Sequence, residues 1–186
     1  MKRRIVPLVA IVVGAALVAL LAYGLIAQGP SRSLDAAVRA GKRPPAPAVA
    51  RALPVLDGAR GPKASLERWR GQVLVINFWA SWCDTCGAEA GILRSAQRLL
   101  TERREGTVLG ITYKDVTGES VAWLKAHRLS FPNLRDVDGS FAEAYGTAQL
   151  PETFVLDRRL RVVGISRGEL TSLRWLSGAI NAAARS

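Results

Sequence analysis

The chain is poor in the side chains that hold metal ions. Its 186 residues include two cysteines and a single histidine, His127. A structural zinc site needs about four ligands, so an intrachain metal centre is not expected. Acid is scarce as well: 15 acidic residues face 26 basic ones, for a formal charge of +11. A basic surface can mark nucleic-acid binding. Here the excess is dispersed over single arginines such as Arg94, Arg98, Arg128, Arg158 and Arg161. That pattern fits solvated helix faces with some attraction to anionic lipid headgroups, and no nucleic-acid partner is expected. No internal repeat is present.

The long apolar run stands at the N-terminus. After Met1-Lys2-Arg3-Arg4, no charge interrupts Ile5 to Ala27. That length spans a hydrocarbon core of about 30 Å, and the basic flank is held on the cytoplasmic side. Residues 1–27 therefore read as an uncleaved membrane anchor, which places the rest of the chain outside the cytoplasm at the cell membrane. A cleaved signal peptide is the competing reading. Its apolar region is usually shorter, about 7–15 residues, and no clean small-x-small site is found, although Gly24 and Ala27 are small. The adjacent arginines lack the surroundings of a twin-arginine signal. Residues 28–50 are rich in Pro, Ala, Gly and Arg and read as a tether, with at most a helical turn over Leu34 to Arg39. Residues 51–186 are then one domain.

Both cysteines fall in Trp82-Cys83-Asp84-Thr85-Cys86. A disulfide across two intervening residues constrains the unfolded chain very little, so a purely structural bridge is the weaker reading. The pair follows the strand-like run Val73 to Trp79 and precedes a helical pattern. A sulfur at a helix N-terminus gains from unpaired N–H groups and the helix dipole, which favour a thiolate. This is the chemistry of thiol–disulfide exchange. Cys83, nearer the loop, is the expected nucleophile. Cys86 is the expected resolving thiol. Glu89, three residues beyond Cys86, is the candidate proton acceptor, with a solvated helix carboxylate as its plain alternative. Asp84 beside Cys83 opposes thiolate formation, so the pair is expected to be a reductant rather than a strong oxidant. Trp79 reads as core and Trp82 as a partly exposed wall beside the sulfurs, a substrate-binding candidate. Lys114 and Asp115 end a strand at the same edge. His127 reads as a solvated helix residue.

The periodicities predict an opening hairpin over Leu53–Leu56 and Ala64–Leu66, a buried strand at Val73–Trp79 and a helix over Thr85–Arg103. They continue with a strand at Val108–Tyr113, a helix at Glu119–Arg128 and a short helix at Ser140–Tyr145. Strands at Thr153–Leu156 and Arg161–Ile165 and a final helix at Thr171–Ala183 complete the order. This alternation argues for an α/β domain, a mixed central sheet with helices on both faces.

Three stretches then carry a family likeness: Val75-Ile76-Asn77-Phe78-Trp79-Ala80-Ser81-Trp82-Cys83, Gly110-Ile111-Thr112-Tyr113-Lys114-Asp115 and Leu150-Pro151-Glu152-Thr153-Phe154-Val155-Leu156-Asp157. The chain resembles the thioredoxin-like proteins of the TlpA/ResA group, and within it the DsbE/CcmG cytochrome c maturation branch. The resemblance implies a thioredoxin-like fold with an N-terminal transmembrane helix. It implies a cis bond before Pro151 facing the cysteines, with Leu150 pairing to an extended client. It also implies an acidic group at Glu89 that tunes the pair. Thioredoxin itself carries an aspartate where this chain has Asn77, so acid–base work would fall to Glu89. The implied activity is reduction of client disulfides, among them apocytochrome c, with electrons from a membrane thiol donor of the DsbD/CcdA type. No cofactor beyond the redox-active Cys83–Cys86 disulfide is implied. A general disulfide oxidase or isomerase remains the enzymatic alternative. A thioredoxin-like metal chaperone is the alternative of another class, although its three-residue cysteine spacing and histidine ligand are not matched here. A peroxidase signature around Cys83 is not evident.

Overall fold

A computed structural model describes residues 13–20, 30–56 and 62–185. Residues 13–20 are helical (α1) and expose Val13, Leu17, Val18 and Leu20. Most of the expected anchor, Ile5 to Ala27, lies outside the described residues. Among the described residues, no helix is long and apolar enough to cross a membrane.

The sheet is built around β3 (Val73–Trp79), whose seven residues are all buried. Six of the seven are apolar, as a strand covered on both faces requires, and the seventh is Asn77. It lies parallel to β4 (Gly106–Tyr113) and antiparallel to β6 (Glu152–Leu156). With β5 (Asn133–Asp136) and β7 (Val162–Arg167) the order is β5-β4-β3-β6-β7. A separate antiparallel pair joins β1 (Leu53–Pro54) to β2 (Lys63–Ala64).

Alternation along β3 divides the core. Leu74, Ile76 and Phe78 point to one face, where Phe78 meets Phe141, Tyr145 and Phe154 at ring-centroid distances of 6.1, 5.4 and 5.7 Å. Val73 and Val75 point to the other, against α3 (Ala90–Glu102) and α6 (Leu173–Ala184). Helix α3 turns Ala90, Leu93, Ala96 and Leu100 inward at helical spacing. The first face is covered by α5 (Ser140–Ala144) and by α2 (Pro30–Arg39), while α4 (Thr117–Ala126) flanks the cysteine end. The mixed sheet with helices on both faces agrees with the expected fold class.

Four local expectations are corrected. The tether assigned to residues 28–50 is packed structure from Pro30 onward. Proline opens α2, where its missing N–H costs nothing, and Leu34 and Ala46 are buried in the core. The packed body thus begins well before Arg51. The helix expected from Thr85 begins at Ala90. Before it, Cys86, Ala88 and Ala90 donate to the carbonyls of Cys83, Thr85 and Gly87, a run of tighter i→i−3 turns. Strand β5 was not expected, because Asn133-Leu134-Arg135-Asp136 has weak strand propensity. It forms at the sheet edge, with Asn133 opposite Gly110. Finally, Leu66, expected in the opening hairpin, sits instead in the 3-10 turn Leu66–Trp69.

Candidate active site

Cys83 and Cys86 are joined by a disulfide. It sits just beyond the C-terminal end of β3, in a small apolar cluster with Leu56, Trp79 and Ala80. Cys83 is 8% exposed and Cys86 1%, the order expected of attacking and resolving sulfurs. The Cys83 sulfur lies 3.7 Å from the Thr85 hydroxyl, which sequence reading did not single out. Since α3 starts only at Ala90, the Cys83 sulfur sits at a run of tight turns ahead of the helix rather than at a regular helix end. Asp84 is exposed.

Glu89 is not a solvated helix residue. It is fully buried, and its carboxylate accepts from Asn77 Nδ2 at 2.6 Å and from the Leu170 N–H at 2.9 Å. Burial pushes its pKa up to about 7, against the opposing pull of the Leu170 and Asn77 hydrogen bonds. Asn77 also donates to the Thr153 hydroxyl at 3.1 Å. One amide therefore ties the Glu89 carboxylate to the strand that follows Pro151.

The Leu150–Pro151 bond is cis. Phe78 pairs with Glu152 across β3 and β6, so Pro151 stands at the end of the sheet from which the cysteine turn departs. Leu150 packs against the cluster that holds both sulfurs. Trp82 is 56% exposed and meets Tyr113 edge-on at 6.4 Å. It walls a groove with Ser81, Asp115, Val116, Glu119 and Trp123. Asp115 fixes this wall. It accepts from the Ser81 N–H and hydroxyl at 2.7 Å each and from the Ser120 hydroxyl at 2.7 Å. The structure thus gathers Cys83, Cys86, Trp82 and Leu150 in one region and brings Asp115 to it, while Glu89 is held by Asn77 and Leu170.

One residue stands differently from its expected role, and another was given none. Glu152, at the start of β6, is 1% exposed and ion-paired to Arg167. His127 is not simply solvated. Its ring stacks on Trp123 at 4.0 Å, and Trp123 stacks on Trp79 at 4.4 Å. A Cβ placed on Gly87, next to Cys86, would meet His127 Nε2 at 2.8 Å. Its packing against the cysteine turn depends on a contact no sequence periodicity reveals. Among the described residues no group of three His, Cys, Asp or Glu is arranged to hold a metal ion.

Comparison with known proteins agrees with this geometry. The chain is 33% identical over 109 residues to the thiol:disulfide interchange protein DsbE of Pasteurella multocida, covering 57% of this chain and 56% of that one. The chain thus spans little more than half the length of that relative. It is 32% identical over 162 residues to DsbE of Allochromatium vinosum, covering 84% of this chain and 78% of the relative. The crystal structure of a Chlorobium tepidum protein assigned to DsbE superposes with a TM-score of 0.67 at 25% identity, covering 76% of this chain and 96% of that one. The AhpC/TSA family matches residues 45–165, which takes in the cysteine pair, Glu89 and the cis proline. The chain therefore belongs to the AhpC/TSA family of thioredoxin-like proteins, in the group that holds DsbE and ResA.

Proposed function

We propose that this protein is a membrane-anchored, extracytoplasmic thiol–disulfide oxidoreductase that reduces disulfides in protein clients. The observation that carries the proposal is the Cys83–Cys86 pair packed against Leu150, which precedes the cis Pro151, with a buried carboxylate at Glu89 three residues beyond Cys86. In the reduced protein the Cys83 thiolate attacks a client disulfide, forming a mixed disulfide and releasing one client thiolate. Cys86 then attacks the Cys83 sulfur, expelling the second client thiolate and restoring the Cys83–Cys86 bond. Two electrons pass to the client. Glu89, poised near neutral pH, accepts the Cys86 proton as that thiol becomes a nucleophile. Leu150 offers backbone pairing to an extended client segment, and Trp82 supplies an aromatic wall.

The names of the DsbE relatives point to thiol:disulfide interchange. The finer reading, reduction of the haem-attachment cysteines of apocytochrome c with a donor of the DsbD/CcdA type, rests on the resemblance carried by the Val75–Cys83, Gly110–Asp115 and Leu150–Asp157 stretches. The anchor rests on the apolar length of Ile5–Ala27 and the basic flank before it.

The test is trapping with the full chain. Cys86→Ser should accumulate a mixed disulfide with a peptide carrying one Cys-x-x-Cys disulfide, and Cys83→Ser should not. The wild-type potential against a glutathione couple should fall near the thioredoxin value of about −270 mV. A potential near about −120 mV with net oxidation of a dithiol peptide favours the oxidase reading. Equal trapping by both variants defeats the assignment of Cys83 as nucleophile.

A further inference from the structure

Arg167, at the end of β7, gathers three distant parts of the chain. Its Nε and Nη2 meet the two oxygens of Asp35 at 3.3 and 2.6 Å. Nη1 pairs with Glu152 and also donates to the Gly146 carbonyl at 3.3 Å. Nη2 donates further to the Tyr145 carbonyl at 3.2 Å. These contacts account for all five N–H groups of a guanidinium. The cation also lies 4.9 Å from the Phe154 ring centroid. Glu152 in turn accepts the Ala148 N–H at 3.5 Å.

The three parts are α2, the turn that leaves α5, and β6. Residues 145–150 are neither helix nor strand, yet they deliver Leu150 to the cluster that holds the cysteines. Their carbonyls at Tyr145 and Gly146 are held by the same side chain that holds α2.

We propose that Arg167 is a positioning residue for the client-docking loop, and that Asp35 makes helix α2 part of that bracket. The proposal rests on the docking role given to Leu150 above. A partly buried ion network adds little net stability compared with apolar packing, but it defines geometry. Arg supplies a planar fork that Lys cannot reproduce. The bracket sets where Leu150 stands relative to Cys83, so grip on an extended client depends on a residue some fifty positions before the cysteines. Sulfur chemistry with a small thiol, which needs no docking, does not depend on it.

The experiment uses the full chain and two substrates: a peptide with one intramolecular Cys-x-x-Cys disulfide, and dithiothreitol for small-thiol exchange. Asp35→Asn keeps the size of the side chain and removes its charge, and Arg167→Lys keeps the charge and removes the fork. Each should raise KM for the peptide, by about threefold and about tenfold respectively. Peptide kcat, the dithiothreitol rate and the reduction potential should stay within about twofold of wild type. Asp35→Glu should return KM toward the wild-type value. Leu150→Gly is the control for docking itself. If it leaves peptide KM unchanged, the docking role and the bracket are both overturned. If it raises KM while Asp35→Asn and Arg167→Lys do not, the bracket alone is overturned. A parallel fall in peptide and dithiothreitol rates would also overturn it, since that is the mark of general unfolding.

Discussion

Glu89→Gln isolates the cost of a buried carboxylate. In the oxidised chain neither cysteine titrates, because both are in the disulfide. Glu89 has its pKa pushed from the ordinary 4.5 to about 7, chiefly by burial. The folded chain therefore holds this proton more tightly than the unfolded chain does. Below pH 4.5 both states are protonated and nothing is lost. Between pH 4.5 and about 7 the unfolded chain ionises while the folded one resists, so stability falls as pH rises. Above about 7 both are ionised, and the full cost, about 3 kcal/mol, is present. Glutamine removes the titration. Its amide faces the Leu170 N–H or the Asn77 amide with a donor where an acceptor stood, an offset of about 1–3 kcal/mol that does not vary with pH. Urea unfolding of both oxidised chains from about pH 4 to about pH 8 reads the difference directly, since every other group cancels. Wild type should lose about 3 kcal/mol relative to Glu89→Gln across that range. A difference constant to within about 0.5 kcal/mol would refute the claim that burial governs this carboxylate.

Two further outcomes follow from the geometry. Gly110→Ala places a Cβ 1.8 Å from Asn133 Oδ1 and 2.7 Å from Trp79 Nε1, so it disrupts the 3.0 Å Trp79–Asn133 hydrogen bond. A loss of about 3 kcal/mol or more is expected in urea unfolding, and a loss under about 1 kcal/mol would show that the strand crossing yields easily. Asp84→Asn should make the pair more oxidising, but by less than about 30 mV because Asp84 is exposed and screened. A move toward more reducing values against a glutathione couple would contradict the direction.

The central strand was legible in the sequence residue for residue, because a seven-residue run with six apolar members has one natural reading. The cysteine pair was legible for a similar reason: its spacing, between a strand-like run and a helical pattern, gives its chemistry. Glu89 was identified by position, but its burial was not, since the carboxylate is enclosed by Asn77 from β3 and Leu170 from the loop before α6. Those are contacts across 12 and 81 positions. Pro-rich composition misread residues 30–50, because proline forbids interior helix and ladder positions but not packing. Strand β5 was hidden for the opposite reason: an edge strand can be short and polar when its register is set by β4. The burial of Glu152 was not legible either, because its partner Arg167 comes from the neighbouring strand.

The segment just before Arg51 has a further consequence, for self-association. Strand β7 is the outer strand of its sheet, and an open strand edge is a template for pairing with another chain. Here the Pro44 carbonyl accepts the Val162 N–H at 2.8 Å, the Ala46 N–H donates to the Leu160 carbonyl at 2.9 Å, and Arg161 Nε donates to the Arg43 carbonyl at 2.6 Å. Pro45 bridges Arg161, and proline has no N–H with which to extend a ladder outward. The Pro-rich stretch therefore works as a blunt selvage stitched along the start of β7. A chain begun at Arg51 would lose that hem and offer β7 to its own copies.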